Sequence, residues 1–153
     1  MESREPHPDL QALGVQLRRL NGELNRLVHG FAAGQGLHPT DVQALAAILD
    51  SEVPLTPSVL RHRLGLTSGA VSACVDRLER AGHINRVRES ADRRVVHLHY
   101  VPGAQARARR YFGPLAEAAD RVRSGFNEPE LAVVLRFLSN LNEELTETKS
   151  PQV

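Results

Sequence analysis

The chain has 153 residues, 41% of them apolar and 24% charged, with a formal net charge of +1, a profile expected of one soluble globular domain. Its one cysteine, Cys74, excludes an intramolecular disulfide and a cysteine-based zinc cluster, and no apolar run reaches the ~18 residues of a membrane span. The N-terminus, MESREPHPDL, carries no basic region followed by a hydrophobic run, so the expected compartment is the cytoplasm.

From the N-terminus, Leu10, Leu13, Leu17, Leu20, Leu24, Leu27 and Phe31 recur at alternating steps of three and four, which predicts one face of a long helix. Gly30, Gly34 and Gly36 are expected to stop it. Pro39-Thr40-Asp41-Val42-Gln43 reads as the next helix start, with Thr40 as N-cap and Gln43 completing a capping box, and the helix is expected to run to about Leu49. Val53-Pro54-Leu55 forms a short extended link. Thr56-Pro57 then supplies an N-cap followed by proline at the first helical position, where its missing N–H costs nothing. This helix buries Val59, Leu60 and Leu64 and closes at Gly65.

A further helix opens at Thr67 or Ser68 and ends at Gly82, a residue able to take the left-handed conformation after a helix. Its inner face is Val71, Cys74, Val75 and Leu78. Beyond Gly82 the period changes from helical to alternating: Ile84 and Val87, the charged tip Arg88-Glu89-Ser90-Ala91-Asp92-Arg93-Arg94, then Val96, Leu98 and Tyr100 facing one way. The pattern predicts a two-stranded ribbon. Pro102-Gly103 ends it and launches a helix marked by Tyr111, Phe112, Leu115, Ala119 and Val122. Leu131, Val134, Leu135, Leu138, Leu141 and Leu145 mark a last one.

Charge is concentrated on the middle of this order. Residues 61–110 hold eleven arginines against four acids, a local excess of seven positive charges in an otherwise acidic chain. Counterion release from phosphate rewards such a local excess. The order helix, tight turn, helix, basic hairpin is that of a winged helix-turn-helix, whose second helix enters the major groove. The predicted fold class is therefore mostly α (α+β), with a two-stranded wing. Residues 37–102 form the DNA-binding part of a single domain spanning 1–153, and helices in 8–36 and 103–148 flank it.

On the exposed side of the reader helix, Thr67, Ser68, Gly69, Ala70, Ser72 and Ala73 are small, so its backbone can approach base edges closely. Arg77 lies further along, within reach of phosphate. Arg88, Arg93 and Arg94 at the wing are long enough to enter a minor groove, with Asp92 holding Arg94 or a backbone amide in place. The leucine stripes, Leu10, Leu13 and Leu17 at one end and Leu131, Leu135, Leu138 and Leu141 at the other, are expected to pack together and against a second copy.

The segment LGLTSGAVSACVDRLERAGHINRVRESADRRVV, residues 64–96, resembles the multiple-antibiotic-resistance regulator (MarR) family, and the resemblance extends over nearly the whole chain. The family's Asp-x-Arg wing motif is matched by Asp92-Arg93-Arg94. The resemblance implies a homodimer with intertwined terminal helices. It also implies a double-stranded DNA operator and, for many members, release by a small phenolic or aromatic effector bound between the dimerisation helices and the reader. Phe31, His38 and Tyr111 are the candidate lining of such a pocket. Ala73 stands where many members carry a base-reading arginine, and Val101 where threonine often precedes Pro102.

Two function classes follow. The first is a ligand-responsive repressor on a pseudo-palindromic operator; the second is a winged-helix protein-interaction module that has lost sequence-specific DNA binding, motivated by Ala73. No enzyme is expected, because no spacing joins a nucleophile to a base. No metal or cofactor is expected either. His97-x-His99 sets two imidazoles on one side of a strand without a third ligand, and Gly65-x-x-x-Gly69 lacks the residues of a phosphate loop. Cys74, on a buried face, reads as an inert core thiol.

Overall fold

A computed structural model describes residues 8–88 and 94–148. Its elements are α1 (Pro8–Gln35), α2 (Pro39–Leu49), α3 (Pro57–Leu64), α4 (Ser68–Arg80), β1 (Ile84–Val87), β2 (His97–Tyr100), α5 (Pro102–Arg123) and α6 (Glu128–Glu147). They fall into two compact units that divide between Tyr111 and Phe112.

In the first unit, α1 runs through Gly30 and Gly34 and stops only at Gly36, whose φ of +65° is a left-handed conformation that costs glycine little. The expected stop at Gly30 and Gly34 is therefore corrected: neither takes a positive φ. The start of α2 also differs from expectation. Its N-cap is His38, whose backbone N–H donates to Asp41 Oδ2 at 2.9 Å, so the reciprocal partner is Asp41 and the expected Thr40–Gln43 pair is not the cap. Proline at the first helical position favours this earlier start.

The short α3 begins as its sequence predicts, with Thr56 Oγ1 accepting from the Val59 N–H at 3.3 Å. Only Leu60 of its three expected core residues is buried; Val59 is exposed and Leu64 half-buried, because eight residues give little more than two turns to a core on one side. Gly65 ends it with φ +63°. The capped α4 buries Val71, Cys74, Val75 and Leu78, the inner face expected of it. Gly82, at φ +75°, turns the chain from α4 into β1.

The strands pair antiparallel, with Ile84 opposite Tyr100 and Arg86 opposite Leu98. Side chains alternate across a sheet, so Ile84, Arg86, Leu98 and Tyr100 share one face and Asn85, Val87, His97 and His99 the other. Val87 thus lies opposite Ile84, and Val96 falls before β2. The Leu98 N–H also donates to the Leu55 carbonyl at 2.8 Å, tying the wing to the α2–α3 link. Phe31, Leu60, Leu78, Ile84 and Leu98 are among the largest fully buried side chains. Each contributes roughly 1.5–3 kcal/mol by leaving water.

In the second unit, Asn127 and Glu130 form a reciprocal capping box at the start of α6, both hydrogen bonds 2.9 Å long. No side chain of α6 is buried within the chain. Val133, Val134, Leu135, Phe137, Leu138 and Leu145 are all exposed. Among the described residues no helix is long and apolar enough to cross a membrane.

Candidate nucleic-acid interface

The buried side of α4 leaves a continuous outer face of Ser68, Gly69, Ala70, Ser72, Ala73, Asp76, Glu79 and Arg80, all exposed. Its first two turns carry nothing larger than a hydroxymethyl group, so another surface can approach the helix backbone. Thr67 is exposed too, but its Oγ1 accepts from the Ala70 N–H at 3.1 Å, which makes it the cap of this face.

Arg77 does not extend freely into solvent. Its Nε donates to Asp41 Oδ2 at 2.9 Å and its Nη2 to Asp41 Oδ1 at 2.7 Å. Its side chain is 30% exposed, while that of Asp41 is 0% exposed. Burial pushes the Asp41 carboxyl up, but hydrogen bonds from Arg77, the His38 amide and Cys74 outweigh it and hold the pKa below the usual 3.8. The same arrangement pushes the Cys74 thiol up to about 12, by burial first and then by the Asp41 carboxylate. The thiol is thus protonated at neutral pH and a poor nucleophile, as expected of a core cysteine.

The wing is tied to α4 through Arg86. Its guanidinium bonds both Asp76 and Glu79, and its backbone N–H donates to Glu79 Oε1 at 3.3 Å. Arg88 and Arg94, the described residues that border the segment between the strands, are both exposed. Asp92 and Arg93 lie outside the described residues, as does the expected link from Asp92 to Arg94.

Two of the three candidate effector residues come together. The rings of Phe31 and Tyr111 are tilted, with centroids 5.2 Å apart, and Phe31 also meets His83 edge-on at 6.4 Å. Phe31 is buried and Tyr111 exposed at one edge. Gly30 permits this seat, since a Cβ there would lie 2.4 Å from Tyr111 Oη. His38, the third, is an exposed N-cap residue. Of the leucine stripes, Leu10 is exposed while Leu13 and Leu17 are half-buried; on α6, Leu131 and Leu141 are half-buried, Leu138 is exposed, and Leu135 is 67% exposed.

Sequence reasoning passed over Asp41, Arg86 and His83. Asp41 carried a local signal, an acid three residues after an N-cap, but its pairing with Arg77 joins two distant helices and leaves no trace in spacing. Arg86 had one too, since strand alternation puts it beside Ile84 on the inward face. His83 is buried, and its Nδ1 has no hydrogen-bond partner. Burial, then the charge of Arg107, holds it below the ordinary pKa of 6.5.

Comparison with known proteins points the same way. The profile of the MarR family matches residues 35–95. The HTH-type transcriptional regulator YcgE of Bacillus subtilis is 34% identical over 154 residues, covering 97% of this chain and 99% of that protein. The HTH-type transcriptional repressor YetL, also of Bacillus subtilis, is 22% identical over 135 residues, covering 88% and 81%. Among solved structures, a MarR family protein from Bacillus stearothermophilus superposes with a TM-score of 0.67 at 24% identity, covering 96% of this chain and 99% of that one. Streptococcus pneumoniae FabT, solved in complex with DNA, gives 0.57 at 27% identity over 87% and 99%.

Proposed function

The chain belongs to the MarR family of transcriptional regulators, DNA-binding proteins and not enzymes, and from that premise we propose that it is a homodimeric repressor of the cytoplasm. It binds a pseudo-palindromic operator whose half-sites lie about one helical turn apart. The observation that carries this reading is the face of α4: capped by Thr67, lined by Ser68, Gly69, Ala70, Ser72 and Ala73, and tied to a pair of strands beyond which Arg88 and Arg94 are exposed. The YetL repressor and the FabT–DNA complex support it by similarity.

In this reading the small residues of α4 let base edges come close, with Ser68 and Ser72 offering hydroxyls. Arg88, Arg93 and Arg94 enter the minor groove, and Asp92 holds Arg94 or a backbone amide in place. Arg77 braces the helix through Asp41. The leucine stripe of α1, Leu10, Leu13 and Leu17, and that of α6, Leu131, Leu135, Leu138 and Leu141, each meet a second copy. The apolar side chains exposed on α6 argue for such cover, since a lone chain would leave them in water.

A small aromatic or phenolic effector at Phe31 and Tyr111 lowers operator affinity by preferring a dimer with mis-spaced reader helices. The tilted ring pair supports an aromatic ligand. Fluorescence anisotropy against the intergenic duplex upstream of the gene and a scrambled duplex, at two salt concentrations, tests the reading. Tighter binding to the intergenic duplex that survives the higher salt is expected. Equal, weak binding abolished by salt would overturn it.

A further inference from the structure

The outer face of α4 ends in two carboxylates. Asp76 lies one turn beyond Ser72 and Ala73 and on the same exposed side, and Glu79 follows three residues later. Negative side chains on a helix that approaches phosphate raise the electrostatic cost of docking. Both are engaged by one cation, and that cation comes from the wing: Arg86 of β1 bonds Asp76 and Glu79 together, and its own amide adds a third hydrogen bond to Glu79.

The side chains involved are between one-third and about half exposed, 32% for Arg86, 52% for Asp76 and 40% for Glu79. A single pair at such exposure contributes little, but a guanidinium fork shared by two carboxylates has defined geometry. The two carboxylates in turn hold the Arg86 pKa above its usual value, Asp76 first. The reader helix and the wing are thus joined at one side chain, on the face where both would meet a duplex.

We infer that Arg86 is a positioning residue for operator binding: it sets the wing against the reader helix and masks Asp76 and Glu79 from the phosphates, without touching DNA itself. The inference rests on the proposed DNA-binding role and assigns a residue within it. Its electrostatic consequence is that the effect of Arg86 on binding runs through the two acids.

A mutant cycle measures this directly. Wild type, Arg86→Gln, Asp76→Asn/Glu79→Gln and the triple variant are titrated by fluorescence anisotropy on the intergenic and scrambled duplexes across a salt series, after each has been shown to be folded by its thermal transition. Arg86→Gln is expected to weaken intergenic binding about tenfold at low salt, the loss shrinking as salt screens the bared acids. In the Asp76→Asn/Glu79→Gln background the same change is expected to cost almost nothing. Arg86→Lys, a point charge in place of a fork, is expected to fall between.

An equal loss in both backgrounds, with the salt slope shallower by about one, would mean that Arg86 grips a phosphate and would overturn the inference. Wild-type affinity in Arg86→Gln would overturn it as well. Failure of the wild-type chain to distinguish the two duplexes would instead overturn the proposed function. If Arg86→Gln does not fold, the acid-neutralised variant still decides: wild-type specificity is expected from it only if masking, and not the clamp's geometry, is what matters, so a tenfold loss there assigns the role to geometry alone and removes the masking part of the inference.

Discussion

Asp41, wholly buried at the first turn of α2, holds the guanidinium of Arg77 on α4 through both of its carboxylate oxygens. The pair joins the two helices that set the reader's tilt. Its members are unequally buried, so removing them has unequal consequences. Arg77→Ala strands a buried carboxylate and is expected to cost about 3 kcal/mol. Asp41→Ala leaves a cation that water reaches at one edge and is expected to cost less. Urea unfolding midpoints of the two variants check the order. Arg77→Lys recovers part of the loss, because an ammonium group cannot match both oxygens.

Acidification brings out His83. Its native pKa lies below 6.5, held there by burial and by Arg107. Above about pH 6.5 the imidazole is neutral in both states and its full contribution is present. As pH falls below that value the unfolded chain takes up the proton first, so stability declines until the depressed native pKa is reached, then levels. The expected difference between wild type and His83→Leu in urea midpoints is therefore constant above the ordinary pKa of 6.5 and changes as pH falls below it. Parallel profiles would refute it. Asp41 enters only at lower pH: its contribution is lost as pH falls from 3.8 through its depressed native pKa.

Replacing a mid-helix glycine by alanine ordinarily gains about 1 kcal/mol. At Gly30 the new Cβ would stand 2.4 Å from Tyr111 Oη, so Gly30→Ala is expected to destabilise by ~1–3 kcal/mol through overpacking. In a Tyr111→Phe background the obstructing oxygen is gone, and the same change is expected to stabilise. Thermal unfolding of the four variants reads the reversal of sign.

Thr67 caps the helix with the exposed small-residue face. Thr67→Ala is expected to lose about 1 kcal/mol, and Thr67→Ser to retain the cap. Calorimetry gives the loss, and anisotropy shows whether DNA affinity falls with it.

Leu138→Glu places a carboxylate in the proposed leucine seam. Sedimentation velocity is expected to show monomer or unfolded chain, since burying an unpaired charge is costly. A stable, folded dimer of this variant would move the interface elsewhere.

The helix-turn-helix and its wing were legible in sequence because local chemistry marks their ends. Thr56-Pro57, Gly65, Thr67 and Gly82 each take the cap or left-handed role that their residue types favour. The start of α2 was misplaced because Thr40 and His38 compete as caps, and proline at position 39 decided between them. What escaped were relations across elements. Nothing in the spacing of Asp41 and Arg77, or of Arg86 and its two acids, shows that folding brings them together. The face of α6 was readable as apolar, but that none of its side chains is buried in one chain appears only once the helix is seen in the structure.

The hydrogen bond from Leu98 to Leu55 spans α3, α4 and β1 in sequence. Closing so long a loop carries an entropic cost that the hairpin's own pairing does not share, so this contact persists only while the helices between its partners stay docked. The Leu98 amide is therefore expected to exchange with solvent deuterium in step with the reader helices and not with the hairpin, so that one amide reports the integrity of the whole reading surface.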